Sequence, residues 1–121
     1  MSKQQVFSWL KDVLEAPSTK IFHNAMYDVC WIRKLGLKIN GLIVDTMIAA
    51  SVIDENRFKY SLDALSKDYL NEEKYKYDLQ QKTLEWSGGT VKDPMTNMHK
   101  LPASIVKEYA KQDVNLTYKL W

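Results

Sequence analysis

Two stretches of the chain place side chains of suitable type at spacings that could do chemistry. In KIFHNAMYDVCWIRKL, residues 20–35, a short apolar run ends in His23-Asn24, and a carboxylate, Asp28, follows one turn later. Lys20-Ile21-Phe22 is too short and too β-prone for anything but a buried strand, and Asn24 offers the side-chain oxygen of a helix N-cap. Asp28 is therefore expected where a strand feeds a helix, the place at which open α/β folds hold ligands. The plainer explanation is that Asp28 only answers the helix dipole, worth about 0.3 to 1 kcal/mol; the residue types alone leave the two even. Near the end, Tyr109 and Asp113 stand at i and i+4 of a helical pattern, so they share one face with β-carbons about 5 to 6 Å apart. By spacing alone such a pair more often decorates a half-buried face than builds a site.

The elements that must position these residues are legible in order. Ser2 and Gln5 have capping-box spacing, and Val6, Phe7, Leu10, Val13 and Leu14 recur at helical intervals, which predicts a first helix from Lys3 to about Glu15. Ala16-Pro17-Ser18 breaks it and leads into a strand over Lys20 to His23. A second helix, Ala25 to Leu35, is stopped by Gly36, which suits a left-handed C′ position. A short strand follows near Leu42 to Val44, and Asp45 can cap a third, mostly buried helix from Thr46 to about Ile53. Ser61 can cap a fourth over Leu62 to Leu70, with Leu62, Leu65 and Leu70 inward. NEEKYKY, residues 71–77, reads as an exposed connection, Leu79 to Trp86 as a fifth helix, and Pro102 as the first residue of a long last helix to about Trp121.

The chain has 121 residues, 45% of them hydrophobic and 26% charged, the profile of one globular domain. Net charge is +2, and the charges are spread evenly: 8 basic and 6 acidic residues up to Tyr60, then 9 of each. No basic arm argues for nucleic acid, so any such site must be local. No apolar run suits a membrane span, and the charged start MSKQQVFSWLKDVLEA does not suit a signal peptide; a cytoplasmic protein with no membrane partner is expected. The one cysteine, Cys30, reads as a small core residue. Trp9, Trp31, Trp86 and Trp121 read as core or interface. His23 and His99, with no cysteine or glutamate at zinc spacing, make no zinc case. Lys74-Tyr75-Lys76-Tyr77 and the cluster Arg57, Lys59 and Tyr60 interleave cations with rings as single-strand binders do, but each is short and reads better as a solvated connector.

Taken together, the ordered series is far more specific than its parts. HNxxxD, then VDTM, then SLDAL, then YxxxD in a terminal helix resembles the 3′-5′ proofreading exonuclease domain of family A DNA polymerases, bacteriophage-type polymerases above all. That domain belongs to the DEDD superfamily, with a ribonuclease H-like α/β fold. Asn24 and Asp28 match its second motif, and Tyr109 and Asp113 match its third, in the tyrosine-bearing variety. Asp45-Thr46-Met47 and Ser61-Leu62-Asp63-Ala64-Leu65 match connecting elements, so the resemblance covers essentially the whole chain. It implies two-metal hydrolysis of the 3′-terminal phosphodiester of single-stranded DNA, with Mg²⁺ or Mn²⁺ as cofactor, since hard cations take carboxylate oxygens. In that scheme Asp28 and Asp113 are the catalytic metal ligands. Tyr109 orients the attacking water; phenols titrate near pH ~10, so positioning fits better than proton abstraction. Asn24 and His23 are the substrate contacts.

One departure stands out. The family's first motif, an Asp-x-Glu on the first strand, has no counterpart ahead of Asp28, since Asp12 and Glu15 belong to the first helix. The expected fold is therefore a partial one: a single domain over 1–121, helix-rich, with about two parallel strands and without the first three strands of the sheet. The resemblance then implies weak or no catalysis by the isolated chain, with the rest of a polymerase as partner. An exposed edge on the Lys20 to His23 strand would invite a homo-oligomer. Two other readings stay open: a single-stranded nucleic-acid-binding or oligomerisation module without cleavage, and a truncated product that only folds.

Overall fold

The structure is a computed structural model and describes residues 2–72, 99 and 101–121. Its described part is helix-rich with a two-stranded parallel sheet, the partial α/β architecture expected. It comprises two compact units, Met1–Ser61 with Trp121, and Leu62–Leu120.

In the first unit, α1 (Lys3–Glu15) starts on the expected capping box: the Gln5 amide donates to Ser2 Oγ at 3.2 Å and the Ser2 amide to Gln5 Oε1 at 2.8 Å. β1 (Lys20–Phe22) leads to α2 (Ala25–Lys34), and Gly36, at φ +79°, turns the chain out of that helix. β2 (Ile43–Asp45) lies parallel to β1 in the register Lys20↔Ile43, Ile21↔Val44, Phe22↔Asp45, and α3 (Thr46–Ile53) follows directly. Among the described residues β1 pairs with β2 alone.

The entry to the sheet is locked by backbone carbonyls. Lys20 is buried, and its ammonium donates to the carbonyls of Ala16, Ser18 (2.9 Å) and Asn40 (2.8 Å), so all three of its protons are used. Asn40 bonds back to the end of α1, its amide to the Leu14 carbonyl at 2.9 Å and its side chain to the Glu15 carbonyl at 2.8 Å. Gly41 takes φ +83°, and a β-carbon there would lie 2.8 Å from the Pro17 carbonyl oxygen and still closer to that of Ser18. Only glycine fits this position.

In the second unit, α4 (Leu62–Leu65) runs into a π-helical turn at Ser66–Leu70, which ends on Asn71 at φ +53°. The expected single helix over these residues thus changes character halfway. The last helix, α5 (Ala103–Leu120), packs against both pieces, and Leu65, Ser66 and Leu116 are the most deeply buried side chains. Pro102 stands just ahead of it and accepts from the amides of Ile105 and Val106.

Several burial expectations are corrected. Cys30 is exposed rather than a core residue. α3 is not mostly buried: Thr46 and Ala50 are covered, whereas Ile48, Val52 and Ile53 face out. Trp9, Trp31 and Trp121 are all more than half exposed, which removes the core half of the core-or-interface expectation for them. The cause is common to all of them: helical periodicity marks an apolar face, but the described residues place few elements against these faces. The expected fifth helix, Leu79 to Trp86, and the Lys74 to Tyr77 stretch lie outside the described residues.

Candidate functional site

Parallel pairing with Phe22 opposite Asp45 brings the residues that follow β1 and those that end β2 to the same edge of the sheet. There the expected capping arrangement is replaced by another. Asn24 lies in the left-handed region at φ +65°, ψ +60°, and its side chain makes no cap hydrogen bond, so it is not the side-chain N-cap of α2. The cap comes instead from Asp45: the Asn24 amide donates to Oδ1 at 3.1 Å and the Ala25 amide to Oδ2 at 2.8 Å. The same carboxylate also caps its own helix as expected, accepting from Met47 (2.9 Å) and Ile48 (3.4 Å) through Oδ1. Two helix starts, each with unsatisfied amides, thus converge on one carboxylate. Asparagine tolerates the left-handed backbone, and Asn24 is exposed.

Asp28 lies in the first turn of α2 and is half-buried. Burial first, and the Asp45 carboxylate second, raise its pKa above the ordinary aspartate value of 3.8. A carboxylate held at some cost in charge is a recurrent feature of sites that bind cations or move protons. His23 is half-buried: Nε2 lies 2.8 Å from the Tyr60 carbonyl, which can only accept, and Nδ1 lies 2.8 Å from Thr46 Oγ1. The Thr46 hydroxyl is itself 3.2 Å from the Phe22 carbonyl. Both ring nitrogens of His23 are therefore engaged within the chain, joining the end of β1 to the start of α3 and to the loop before Ser61. In that loop the Tyr60 hydroxyl donates to the Asp54 carbonyl at 2.6 Å and Arg57 Nε reaches the Lys59 carbonyl at 3.4 Å, so this small cationic cluster is bonded into its own turn.

In the second unit, Tyr109 and Asp113 occupy the predicted positions on one face of α5, and both are half-buried. Asp113 Oδ1 is a buried atom, as are Asp63 Oδ1 on α4 and Ser66 Oγ at the start of the π-helical turn. The turn after Asp113 is tightened by Thr117, whose hydroxyl donates to the Asp113 carbonyl at 2.8 Å. Solvent-side ion pairs, Lys111 with Glu108 at 3.5 Å and Lys119 with Glu72 at 2.6 Å, lie away from this face and contribute little.

The sequence-predicted residues thus fall into two groups: His23, Asn24 and Asp28 at the sheet edge, and Tyr109 and Asp113 on α5. Carboxylates are the donors hard divalent cations take. Among the described residues, however, no three histidine, cysteine, aspartate or glutamate side chains come together to hold an ion. Asp45 does not extend the set, since both its oxygens accept backbone amides. The donor types suit Mg²⁺ or Mn²⁺; the described donors do not complete a two-metal site.

Comparison with known proteins supplies the frame. The sequence pattern of a 3′-5′ exonuclease family matches residues 1–121. The chain is 36% identical over 121 residues to a DNA polymerase, DpoZ, of Acinetobacter phage SH-Ab 15497, and 34% identical over 118 residues to that of Salmonella phage PMBT28. These alignments cover 98% and 95% of the chain. A third polymerase of the same name, from Vibrio phage phiVC8, is 32% identical over 127 residues, covering 93% of the chain. The chain spans only 19 to 20% of the length of these relatives.

Proposed function

We propose, given that the chain belongs to the 3′-5′ exonuclease family of DNA polymerases, that it supplies the second- and third-motif residues of a proofreading site. The substrate is the 3′ end of single-stranded DNA, hydrolysed at its terminal phosphodiester. The observation that carries this reading is the sheet edge, where Asn24 is released from capping by Asp45 and Asp28 is held part-buried beside it. Asn24 contacts the substrate. His23, also expected to touch it, acts in this proposal by fixing the edge, since its ring nitrogens are spent on Thr46 and Tyr60.

Asp28 and Asp113 are assigned as two of the carboxylates that hold Mg²⁺ or Mn²⁺ once further carboxylates complete the set. Bound there, the metals would supply an activated water and charge stabilisation at the leaving oxygen. Tyr109 contributes its hydroxyl as an orienting group on the same helix face as Asp113. The partners in this proposal are the remainder of a DNA polymerase, working in the cytoplasm without a membrane. No described helix is long and apolar enough to cross one. Self-association through the edge of β1 that no described strand pairs is a further proposal, and size-exclusion chromatography giving a clean monomer at micromolar concentration would remove it.

A second reading, single-strand binding without cleavage, is favoured by one observation on α2. Tyr27 and Trp31 are exposed with ring centroids 6.4 Å apart, and the Lys34 ammonium lies 4.9 Å over the Trp31 ring. Exposed rings with a cation are the surface on which bases stack.

The two readings part in one experiment. A fluorescent single strand incubated with the chain and Mn²⁺ is expected to be bound and slowly shortened, with shortening lost in Asp113→Ala. Binding without shortening supports the second reading; shortening that survives Asp113→Ala contradicts the first.

A further inference from the structure

We propose that Asp45 is a positioning residue for the second-motif turn, holding Asn24 and Asp28 in place by accepting the first amides of α2 across the sheet edge; this rests on the exonuclease reading. The geometry separates this role from simple capping. An N-cap for α3 needs one short side-chain oxygen reaching the amides of Met47 and Ile48, and serine does that as well as aspartate. Asp45 does more: its Oδ1 also takes the Asn24 amide, and its Oδ2 takes the Ala25 amide, both some twenty residues away in sequence. A hydroxyl on the shorter serine side chain cannot serve both helix starts.

Among the described residues no other side chain caps the start of α2: Asn24 is left-handed and its side chain makes no cap bond. Amides bonded to an ionised carboxylate are held about twice as strongly as by a neutral acceptor. Asp28 lies three residues beyond Ala25 in the same helical turn. A change in where α2 begins therefore displaces Asp28 with it, and small displacements of a reacting group cost large factors in rate. The remaining ties at this edge, His23 to Thr46 and Thr46 to the Phe22 carbonyl, do not involve Asp45, so its substitution leaves the sheet edge joined.

The separating variant is Asp45→Ser, which keeps the α3 cap and removes the reach to α2. In the 121-residue chain it is expected to leave amide exchange at Met47 unchanged and to speed exchange at Asn24 and Ala25 at least tenfold. With single-stranded DNA and Mn²⁺ it is expected to lower kcat about tenfold and to raise KM, because the carboxylate of Asp28 and the substrate contact at Asn24 are both displaced. Unchanged exchange at Asn24 and Ala25 overturns the proposal, as does faster exchange with wild-type kcat. Asp28→Ala is measured alongside. A wild-type chain that neither binds nor shortens the strand counts against the exonuclease reading instead, and the exchange measurement then decides by itself whether Asp45 holds the start of α2.

Discussion

Asp28 and Asp113 stand in regions built by different means. The sheet edge around Asp28 is assembled from bonds that span twenty or more residues: Asp45 to Asn24 and Ala25, His23 to Thr46 and Tyr60, and, at the other end of the strands, Lys20 to Asn40. The face that carries Asp113 follows helix periodicity, and the bond from Thr117 to the Asp113 carbonyl is an i to i−4 contact within α5. A region of the first kind fails as a whole when one partner is removed, because each group left behind is an unsatisfied polar atom. A region of the second kind should lose stability in small, local amounts.

The largest test of that contrast is Gly41→Ala. The new β-carbon meets the carbonyls of Pro17 and Ser18 on a left-handed backbone, and a loss of about 3 kcal/mol or more is expected in urea unfolding. Lys20→Met comes next. It keeps the apolar stem but strands the carbonyls of Ala16, Ser18 and Asn40, at a cost of about 2 to 3 kcal/mol. On the other side of the comparison, Thr117→Val removes only the local back-bond in α5 and is expected to cost less than about 1 kcal/mol. A Thr117→Val loss as large as that of Lys20→Met would erase the distinction.

The smallest effect is a pH dependence at Asp28. Its folded pKa is raised, so the folded chain holds this proton more tightly than the unfolded chain does. Stability therefore falls as pH rises from about the ordinary value of 3.8 through the raised one, and the penalty is fully present above it. Asp28→Asn should match the wild type below that window and be slightly more stable at neutral pH. Solvent screening at this part-exposed position keeps the gain small. Melting temperatures of both proteins across the acid range would show the sign.

The same contrast explains what could be read from the residues alone. The capping box of Ser2 and Gln5, the span of α1, the stop at Gly36, the cap of α3 by Asp45 and the YxxxD face of α5 are all short-range patterns, and all stand in the structure. The cap of α2 was not legible. An asparagine just ahead of a helix looks like its cap, and nothing in the local text shows that Asp45 occupies that place from across the sheet. The available signal was position: an aspartate closing a strand parallel to the motif strand, one register step from it. Burial was misread for Cys30 and α3 because periodicity names a face without naming what covers it. Lys20 shows the converse, a charged residue in a strand that proves buried because three carbonyls surround it. The π-helical turn at Ser66–Leu70 has no signature in SKDYL that we can identify.

We propose that Asp28 and Asp113, from these two differently built regions, serve one reaction. The direct measurement follows a 5′-labelled single strand incubated with Mn²⁺ and the chain as part of a complete DNA polymerase, comparing wild type with Asp28→Ala, Asp113→Ala and the double variant. Groups that act as a unit give non-additive losses. The account predicts a ladder of labelled products shortened from the 3′ end, a loss of about 100-fold in either single variant, and no further loss in the double variant. Release of the label as a mononucleotide, or losses that multiply in the double variant, would contradict it.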